Sequence, residues 1–144
     1  MVQKVGMESI ESAASLAVLL WEEHTLQDLM EEFRESLEKG NAQFFLWYEQ
    51  DTPVGFAQCQ LRTDYVEGTG SSPVGYLEGI FVKKEYRCRG IARELLAACE
   101  NWAREKGCCE FASDCEITNL QSLRFHRHVG FAEANRIICF TKKL

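Results

Sequence analysis

Arg87-Cys88-Arg89-Gly90-Ile91-Ala92 is the stretch of sequence that decides the fold of this chain. It follows an apolar segment at 76–82, which is predicted to be a strand, and leads into an amphipathic segment at 91–103, which is predicted to be a helix. A turn of small residues at a helix N-terminus presents unpaired backbone N–H groups and the positive end of the helix dipole. Gly90 lets the backbone approach a ligand closely, and Ala92 adds little bulk. The stretch therefore predicts a binding site for a phosphate or pyrophosphate group.

Three kinds of phosphate-binding turn compete for this pattern. A Walker P-loop has Gly-Lys-Ser or Gly-Lys-Thr after its glycines, and that tripeptide is absent. A dinucleotide fingerprint places three spaced glycines between a strand and a helix, whereas Gly68-Thr69-Gly70 leads into Ser71-Ser72-Pro73. The third pattern, Arg/Gln-x-x-Gly-x-Gly/Ala after a strand, matches residues 87–92. It resembles the acyl-CoA pyrophosphate loop of the GNAT N-acetyltransferases.

The composition limits the classes of function. A chain of 144 residues is predicted to form one domain, residues 1–144, with one substantial core. The net charge of −6 argues against a nucleic-acid partner and is compatible with a cationic substrate. No apolar run approaches the roughly 20 residues of a membrane span, so we expect no membrane partner.

The cysteines indicate the compartment. There are seven of them, an odd number, and the start Met1-Val2-Gln3-Lys4 leads into no apolar signal sequence. We therefore expect a cytoplasmic protein with reduced thiols. Cys108 and Cys109 are adjacent and no Cys-x-x-Cys occurs, which disfavours a zinc site, so no metal is predicted.

The order of predicted elements is β-α-α-β-β-β-α-β-α-β, with one further strand as an alternative. A helix that crosses between central strands implies a three-layer α/β protein. The GNAT acyl-CoA N-acyltransferase fold, a central mixed sheet flanked by helices, has this order, as the resemblance implies. The predicted strands lie near 2–5, 44–48, 54–61, 76–82 and 109–113, with a terminal pair in 131–142, and the predicted helices near 8–22, 26–38, 91–103 and 120–128.

Further segments resemble a narrower group, the aminoglycoside 6′-N-acetyltransferases of the GNAT family. They are Asp64-Tyr65-Val66-Glu67-Gly68, Ser71-Ser72-Pro73-Val74, Leu77-Glu78-Gly79-Ile80-Phe81-Val82 and Ala112-Ser113-Asp114, and the match also includes Leu20-Trp21 and Gly130-Phe131. The resemblance implies transfer of acetyl from acetyl-CoA to the 6′-amine of an aminoglycoside, and a homodimer. It also implies acetyl-CoA contacts at Ile80, Phe81, Val82, Arg87, Cys88, Arg89, Gly90, Ile91, Ala92, Arg93 and Asn119.

Glu78 is the candidate for acceptor chemistry. Strict alternation along residues 76–82 predicts Tyr76, Glu78, Ile80 and Val82 on one face of the sheet. A carboxylate in an apolar central strand is costly unless it is paired or functional. Two interpretations remain open: a Glu paired with a nearby Arg, and a Glu that faces the acceptor cleft. In the cleft it would attract the substrate ammonium and remove its proton, directly or through water.

Backbone N–H groups beside Ile80, Phe81 and Val82 are the candidate electrophilic element. The GNAT resemblance implies that the central strand splays from its neighbour there and frees an amide for the thioester carbonyl, which would stabilise charge on that oxygen. Gly79 fits a bulge or a close approach of another group. The alternative is an ordinary strand weakened slightly by the glycine.

Candidate acceptor contacts are Trp21, Tyr65, Glu78, Asp114 and Asn135. Trp21 and Tyr65 are suited to stacking on sugar rings, with a core or structural role as the alternative, and the aminoglycoside resemblance favours contact with the substrate. Asp114 follows a strand, where loops carry function in such sheets. Asn135 stands where the aminoglycoside group carries an acidic contact, so this contact is expected to be weakened.

Two positions before and within the last helix carry alternative interpretations. Asn119 is expected to contact the CoA arm, to cap the helix, or both. His126 stands where many GNAT enzymes have a Tyr that protonates the departing thiolate. Histidine can donate a proton near neutrality, but a packed or exposed helix residue is the alternative.

Two rival functions stay open. One is acetylation of another amine, such as a polyamine, a small metabolite or a protein N-terminus. The other is a non-catalytic acyl-CoA sensor. Glu78, Tyr65 and Asp114 favour an enzyme, because a sensor needs no acidic acceptor cleft.

Overall fold

The computed structural model describes all residues, 1–144. One-turn 3₁₀ helices stand at Met7–Ser9 and Lys84–Tyr86. The other elements are β1 (Val2–Lys4), α1 (Ile10–Leu20), α2 (Leu26–Lys39), β2 (Ala42–Glu49), β3 (Thr52–Arg62), β4 (Val74–Val82), α3 (Ile91–Glu105), β5 (Phe111–Ser113) and α4 (Leu120–His128).

The five strands form one mixed sheet in the order β1-β2-β3-β4-β5. The first three pairs are antiparallel, and β4 pairs with β5 in parallel. A parallel pair requires a crossover connection, and α3 supplies it. This arrangement confirms the predicted α/β class with a mixed sheet flanked by helices.

Two apolar clusters fill the spaces on the two faces of the sheet. On one face α3 presents Leu95, Cys99 and Trp102 at helical spacing, and they pack with Cys59 and Leu77 of the sheet. The second cluster lies against α1 and α2 and includes Phe33, Phe44 and Phe56, whose rings pack on one another. Burial on both faces fixes the position of the central strands.

Helix α2 shows how local sequence sets an element. The Thr25 side chain accepts a hydrogen bond from the Asp28 backbone N–H at 3.1 Å, which satisfies one free donor of the first turn. At the other end Gly40 adopts a left-handed conformation with φ of 70°, and its N–H donates to the carbonyls of Ser36 and Leu37. The predicted C-cap at Gly40 is confirmed.

An extra residue in β4 changes the predicted faces of the strand. Gln58 pairs with Gly79 and Cys59 with Leu77, so the register skips Glu78. Two residues on one strand opposite one on the other form a β-bulge, which shifts the alternation that follows it. Accordingly Ile80 and Val82 pack in the cluster that contains Leu77, and the predicted common face of Tyr76, Glu78, Ile80 and Val82 is wrong.

The predicted terminal strand pair in 131–142 is also wrong, because no residue after Ser113 is in a strand. A segment with an alternating pattern forms a strand only where a sheet edge pairs with its backbone. Side chains of this segment instead contact loop residues. Arg136 pairs with Glu133 three residues away, and the Asn135 side chain donates to Glu67 at 3.0 Å. Ile138 and Phe140 remain 80% and 88% exposed.

None of the helices combines the length and the apolar character that a membrane span needs.

Candidate active site

The turn before α3 is an array of free backbone donors. Gly90 is the N-cap of the helix with φ of 81°, and Cys88 also has a positive φ of 61°. None of the backbone N–H groups of residues 88–93 donates a hydrogen bond within the protein. Consecutive N–H groups around left-handed residues form a concave anion site, and the helix dipole adds to it.

The arginines of this turn are held by neighbours. The Arg87 Nε donates to the Val82 carbonyl at 2.9 Å, which ties the turn to the end of β4. Arg89 forms an ion pair with Glu49 at 2.9 Å, and the Arg93 Nη2 lies 2.9 Å from the His128 Nε2. Positive charge and free N–H groups therefore stand together at the C-terminal end of β4.

Strands β4 and β5 separate inside the sheet. They pair only at Gly75, Tyr76 and Leu77, whereas β4 continues to Val82. The β4 segment at 78–82 thus keeps β3 as its only strand neighbour. The gap between the two strands leads from the turn at 87–92 towards the end of β5.

Four side chains at the head of this gap form the charged cluster, which is Arg62, Tyr76, Glu78 and Asp114. The Arg62 Nε and Nη2 donate to Glu78 Oε1 at 3.1 and 2.9 Å, and Nη2 also donates to Oε2 at 3.0 Å. The Arg62 Cζ lies 3.4 Å from the centre of the Tyr76 ring. The Tyr76 hydroxyl donates to Asp114 Oδ2 at 2.8 Å.

The cluster resolves one alternative left open by the sequence. Glu78 is paired with an arginine, as the first interpretation predicted, and its side chain is still 22% exposed to solvent. Burial raises the pKa of the Tyr76 hydroxyl above its ordinary value, and the hydrogen bond to Asp114 raises it further. Tyr76 therefore stays a neutral donor to Asp114.

Sequence reasoning missed Arg62 and Tyr76 as parts of the site. Arg62 is the last residue of β3 and pairs in register with Val74, the first residue of β4. Strand pairing alone would not have shown the contact, because Val74 lies four residues before Glu78 and only the long Arg62 side chain, lying over the Tyr76 ring, reaches the carboxylate. The predicted strand also ended at residue 61.

His126 is bound at both ring nitrogens. Its Nδ1 lies 2.7 Å from the Ser122 carbonyl oxygen, and its Nε2 lies 2.8 Å from the Ser113 hydroxyl. A carbonyl oxygen only accepts, so Nδ1 carries a proton, an assignment that follows from the hydrogen bonding. Ser113 is the last residue of β5, so its hydroxyl lies between this ring and the point where β4 and β5 separate.

Of the remaining predicted positions, Trp21 and Asn119 contact a strand or a helix, whereas Tyr65 and Asn135 are exposed outside the helices and strands. Trp21 lies against β4, since a Cβ on Gly79 would lie 2.5 Å from its ring, which explains the glycine there. The Asn119 side chain accepts from the Ser122 N–H at 3.1 Å and caps α4, as one of its two interpretations predicted. Tyr65 is 77% exposed in the loop between β3 and β4. The Asn135 side-chain amide donates to loop residue Glu67 and accepts from the Arg136 backbone N–H.

Comparisons with known proteins agree with this geometry. The model of the Acetyltransferase (GNAT) family matches residues 10–131. The chain is 42% identical over 132 residues to an aminoglycoside N(6′)-acetyltransferase type 1 of Stenotrophomonas maltophilia, covering 91% of this chain and 85% of that protein. It is 35% identical to the enzyme of the same name from Salmonella enteritidis, over 99% and 98% of the two chains.

Solved structures show the same relation. AAC(6′)-Iy in complex with the bisubstrate analogue CoA-S-monomethyl-acetylneamine superposes with a TM-score of 0.95 at 35% identity, over 100% of this chain and 98% of that one. AAC(6′)-Ig from Acinetobacter haemolyticus superposes at 0.93 and 32% identity, over 100% and 99%. The fold, the donor turn and these relatives together establish that the chain belongs to the acetyltransferase (GNAT) family.

Proposed function

We propose that this chain, acting as a single domain of residues 1–144, transfers the acetyl group of acetyl-CoA to the 6′-amino group of aminoglycosides. The observation that carries the proposal is the arrangement along one strand. The free N–H groups of the turn at 88–93 stand at one end of the unpaired β4 segment, and the charged cluster stands at the other. The relatives named above are 6′-acetyltransferases, and AAC(6′)-Iy also has a structure in complex with CoA.

On the donor side, the backbone N–H groups of residues 88–93 bind the pyrophosphate of acetyl-CoA. Arg87, Arg89 and Arg93 add positive charge around it. Ile80, Phe81 and Val82 offer backbone groups to the acyl arm where β5 no longer pairs with β4. Asn119 binds the arm from the N-terminus of α4.

On the acceptor side, the carboxylates attract a polycationic amine. Asp114 is exposed, and its Oδ1 accepts no hydrogen bond from the protein. Trp21, Tyr65 and Asn135 complete the acceptor contacts in this proposal. An alkyl ammonium with a pKa of about 10.4 is mostly protonated at neutral pH, so it must lose a proton before attack. Glu78 accepts that proton, directly or through water.

The chemical step forms a C–N bond and breaks the C–S bond of the thioester. Backbone N–H groups at Ile80–Val82 stabilise the charge that develops on the carbonyl oxygen. The departing CoA thiolate takes a proton, which His126 supplies in this proposal. The doubly protonated ring passes its Nε2 proton by way of the Ser113 hydroxyl, to which Nε2 is bonded, and is left neutral with the other proton on Nδ1. The nitrogen that has attacked releases its remaining excess proton to solvent, which leaves the neutral amide.

We also propose a homodimer in the cytoplasm. All seven cysteines are free thiols, which suits a reducing compartment. Apolar side chains of the C-terminal segment, Ile137, Ile138 and Phe140, are exposed in the single chain, and exposed apolar patches mark interaction surfaces.

The donor turn is tested by Gly90→Val. A β-branched residue resists the positive φ at this position and displaces the N–H groups, so acetyl-CoA binding should weaken by about tenfold or more, the equivalent of about one lost hydrogen bond. Calorimetric titration of the folded variant measures the dissociation constant. Gly107→Val is the matched control, because Gly107 follows the other end of α3 with φ of 87° and open space around it. Equal affinity of the two variants would remove the turn from the CoA site.

Glu78→Gln tests the proposed base. The substitution keeps size and polarity but cannot accept a proton, so kcat/KM should fall by about 10²-fold. Glu100→Gln is the control, since Glu100 is also paired with an arginine, Arg104, on the outer side of α3. Equal kcat/KM for Glu78→Gln and wild type would refute the role.

The homodimer is tested by light scattering after size-exclusion chromatography. The expected mass is twice the chain mass of 16.5 kDa. Phe140→Glu should yield the monomer, because burying a carboxylate in an apolar interface is costly, while Met7→Glu, at another exposed apolar residue, should stay dimeric. A monomeric wild type contradicts this part of the proposal.

The acetylation function is tested with a panel of acceptors and acetyl-CoA, measured by thiol release. Aminoglycosides with a 6′-amine should be acetylated, and close analogues with a 6′-hydroxyl should not, because an alcohol is a poor nucleophile at neutral pH. Equal rates on both would end the 6′ assignment. Preference for a polyamine or a peptide would indicate the rival acetyltransferase, and binding of acetyl-CoA without turnover would indicate a sensor.

A further inference from the structure

Arg62 supplies all the hydrogen bonds that the Glu78 side chain receives. Three N–H···O contacts of 2.9 to 3.1 Å join the two residues, and both carboxylate oxygens take part. Glu78 is the bulged residue of β4, so no cross-strand partner in the ladder orients it. The direction of this carboxylate therefore depends on the guanidinium.

The guanidinium is itself held in place from its other side. It lies 3.4 Å from the centre of the Tyr76 ring, a cation–π contact. Tyr76 is 6% exposed and its hydroxyl is bonded to Asp114, so the ring is a fixed platform. The sequence of contacts Asp114–Tyr76–Arg62–Glu78 joins strands β3 and β4 to the residue that follows β5.

The hydrogen bonds within the charged cluster leave part of its accepting capacity unused. Glu78 Oε1 accepts two hydrogen bonds and Oε2 accepts one, so Oε2 retains accepting capacity. One guanidinium and two carboxylates leave one net negative charge. The planar fork and flat face that make these contacts belong to arginine and not to lysine.

We infer that Arg62 is a positioning residue of the acceptor site, which holds the Glu78 carboxylate in the orientation that receives the substrate ammonium. Arg62 acts through Glu78 and does not contact the reacting atoms. The inference rests on the proposed function, because it takes the charged cluster as the acceptor cleft.

A double-mutant cycle tests it. Arg62→Ala should lower kcat/KM for the 6′-amino acceptor by about tenfold in the wild-type background, the scale of coupling between residues in contact. In the Glu78→Gln background the same change should alter kcat/KM by less than about twofold, because the group that Arg62 positions has lost its role. The KM for acetyl-CoA should stay within about twofold throughout.

Conservative and remote variants complete the design. Arg62→Lys keeps the charge but lacks the fork, so it should recover only part of the loss, and it serves for the cycle if Arg62→Ala does not fold. Arg104→Ala removes an arginine that pairs with Glu100 on α3 and should match wild type. Thermal unfolding of each variant reports any separate effect on stability.

The outcomes are distinct. Additive losses from Arg62→Ala and Glu78→Gln, or full activity in Arg62→Ala, overturn the positioning role while the wild type still acetylates the 6′-amine. If the wild type prefers another amine, the 6′ assignment fails alone, and the cycle run with that amine still decides the role of Arg62. If the wild type acetylates no amine, both proposals fail.

Discussion

β4 pairs with β5 over three residues and then runs on to Val82 with no strand beside it on that side. This short ladder is what the rest of the site depends on. A longer parallel pairing would consume the backbone groups of residues 78–82 and close the gap in which an acyl arm can lie. The missing pairs instead leave polar backbone groups open to a ligand. The turn at 87–92 follows directly at the end of the strand, so the donor site and the gap are continuous.

An unpaired central segment needs support from other elements. The cluster around α3 holds β4 through Leu77, Ile80 and Val82, and the aromatic cluster under α1 and α2 packs against Phe81 from the opposite face. Arg87 then ties the donor turn back to the Val82 carbonyl. Burial on both faces thus replaces the stability that ladder hydrogen bonds supply in an ordinary sheet. Preorganised donors of this kind cost no reorganisation when charge develops on a bound carbonyl.

The charged cluster is a second consequence of the irregular pairing of β4. The bulge frees Glu78 from the alternation and leaves its orientation to Arg62, whose guanidinium lies between that carboxylate and the Tyr76 ring. Asp114, which directly follows β5, joins the cluster by accepting a hydrogen bond from the Tyr76 hydroxyl. Two carboxylates and one guanidinium give an anionic surface suited to a polycation, within a chain whose total charge is −6.

Local patterns determined much of this protein. The donor turn is short in sequence, so Gly90 and the helix that follows it were predictable, as were the stripe of α3, the C-cap at Gly40 and the order of the elements up to α4. Tertiary structure alone decided the rest, because it depends on pairing between distant segments. The bulge at Glu78 arises from the register with β3. The Arg62 contact arises because the side chain at the end of β3 lies along the Tyr76 ring and reaches Glu78, and the link to Asp114 comes from the residue that follows β5. The segment after His128 has the alternating pattern of a strand, yet it forms no strand in the single chain. The pattern determines only which side chains would share a face, whereas a strand also needs a sheet edge that pairs with its backbone.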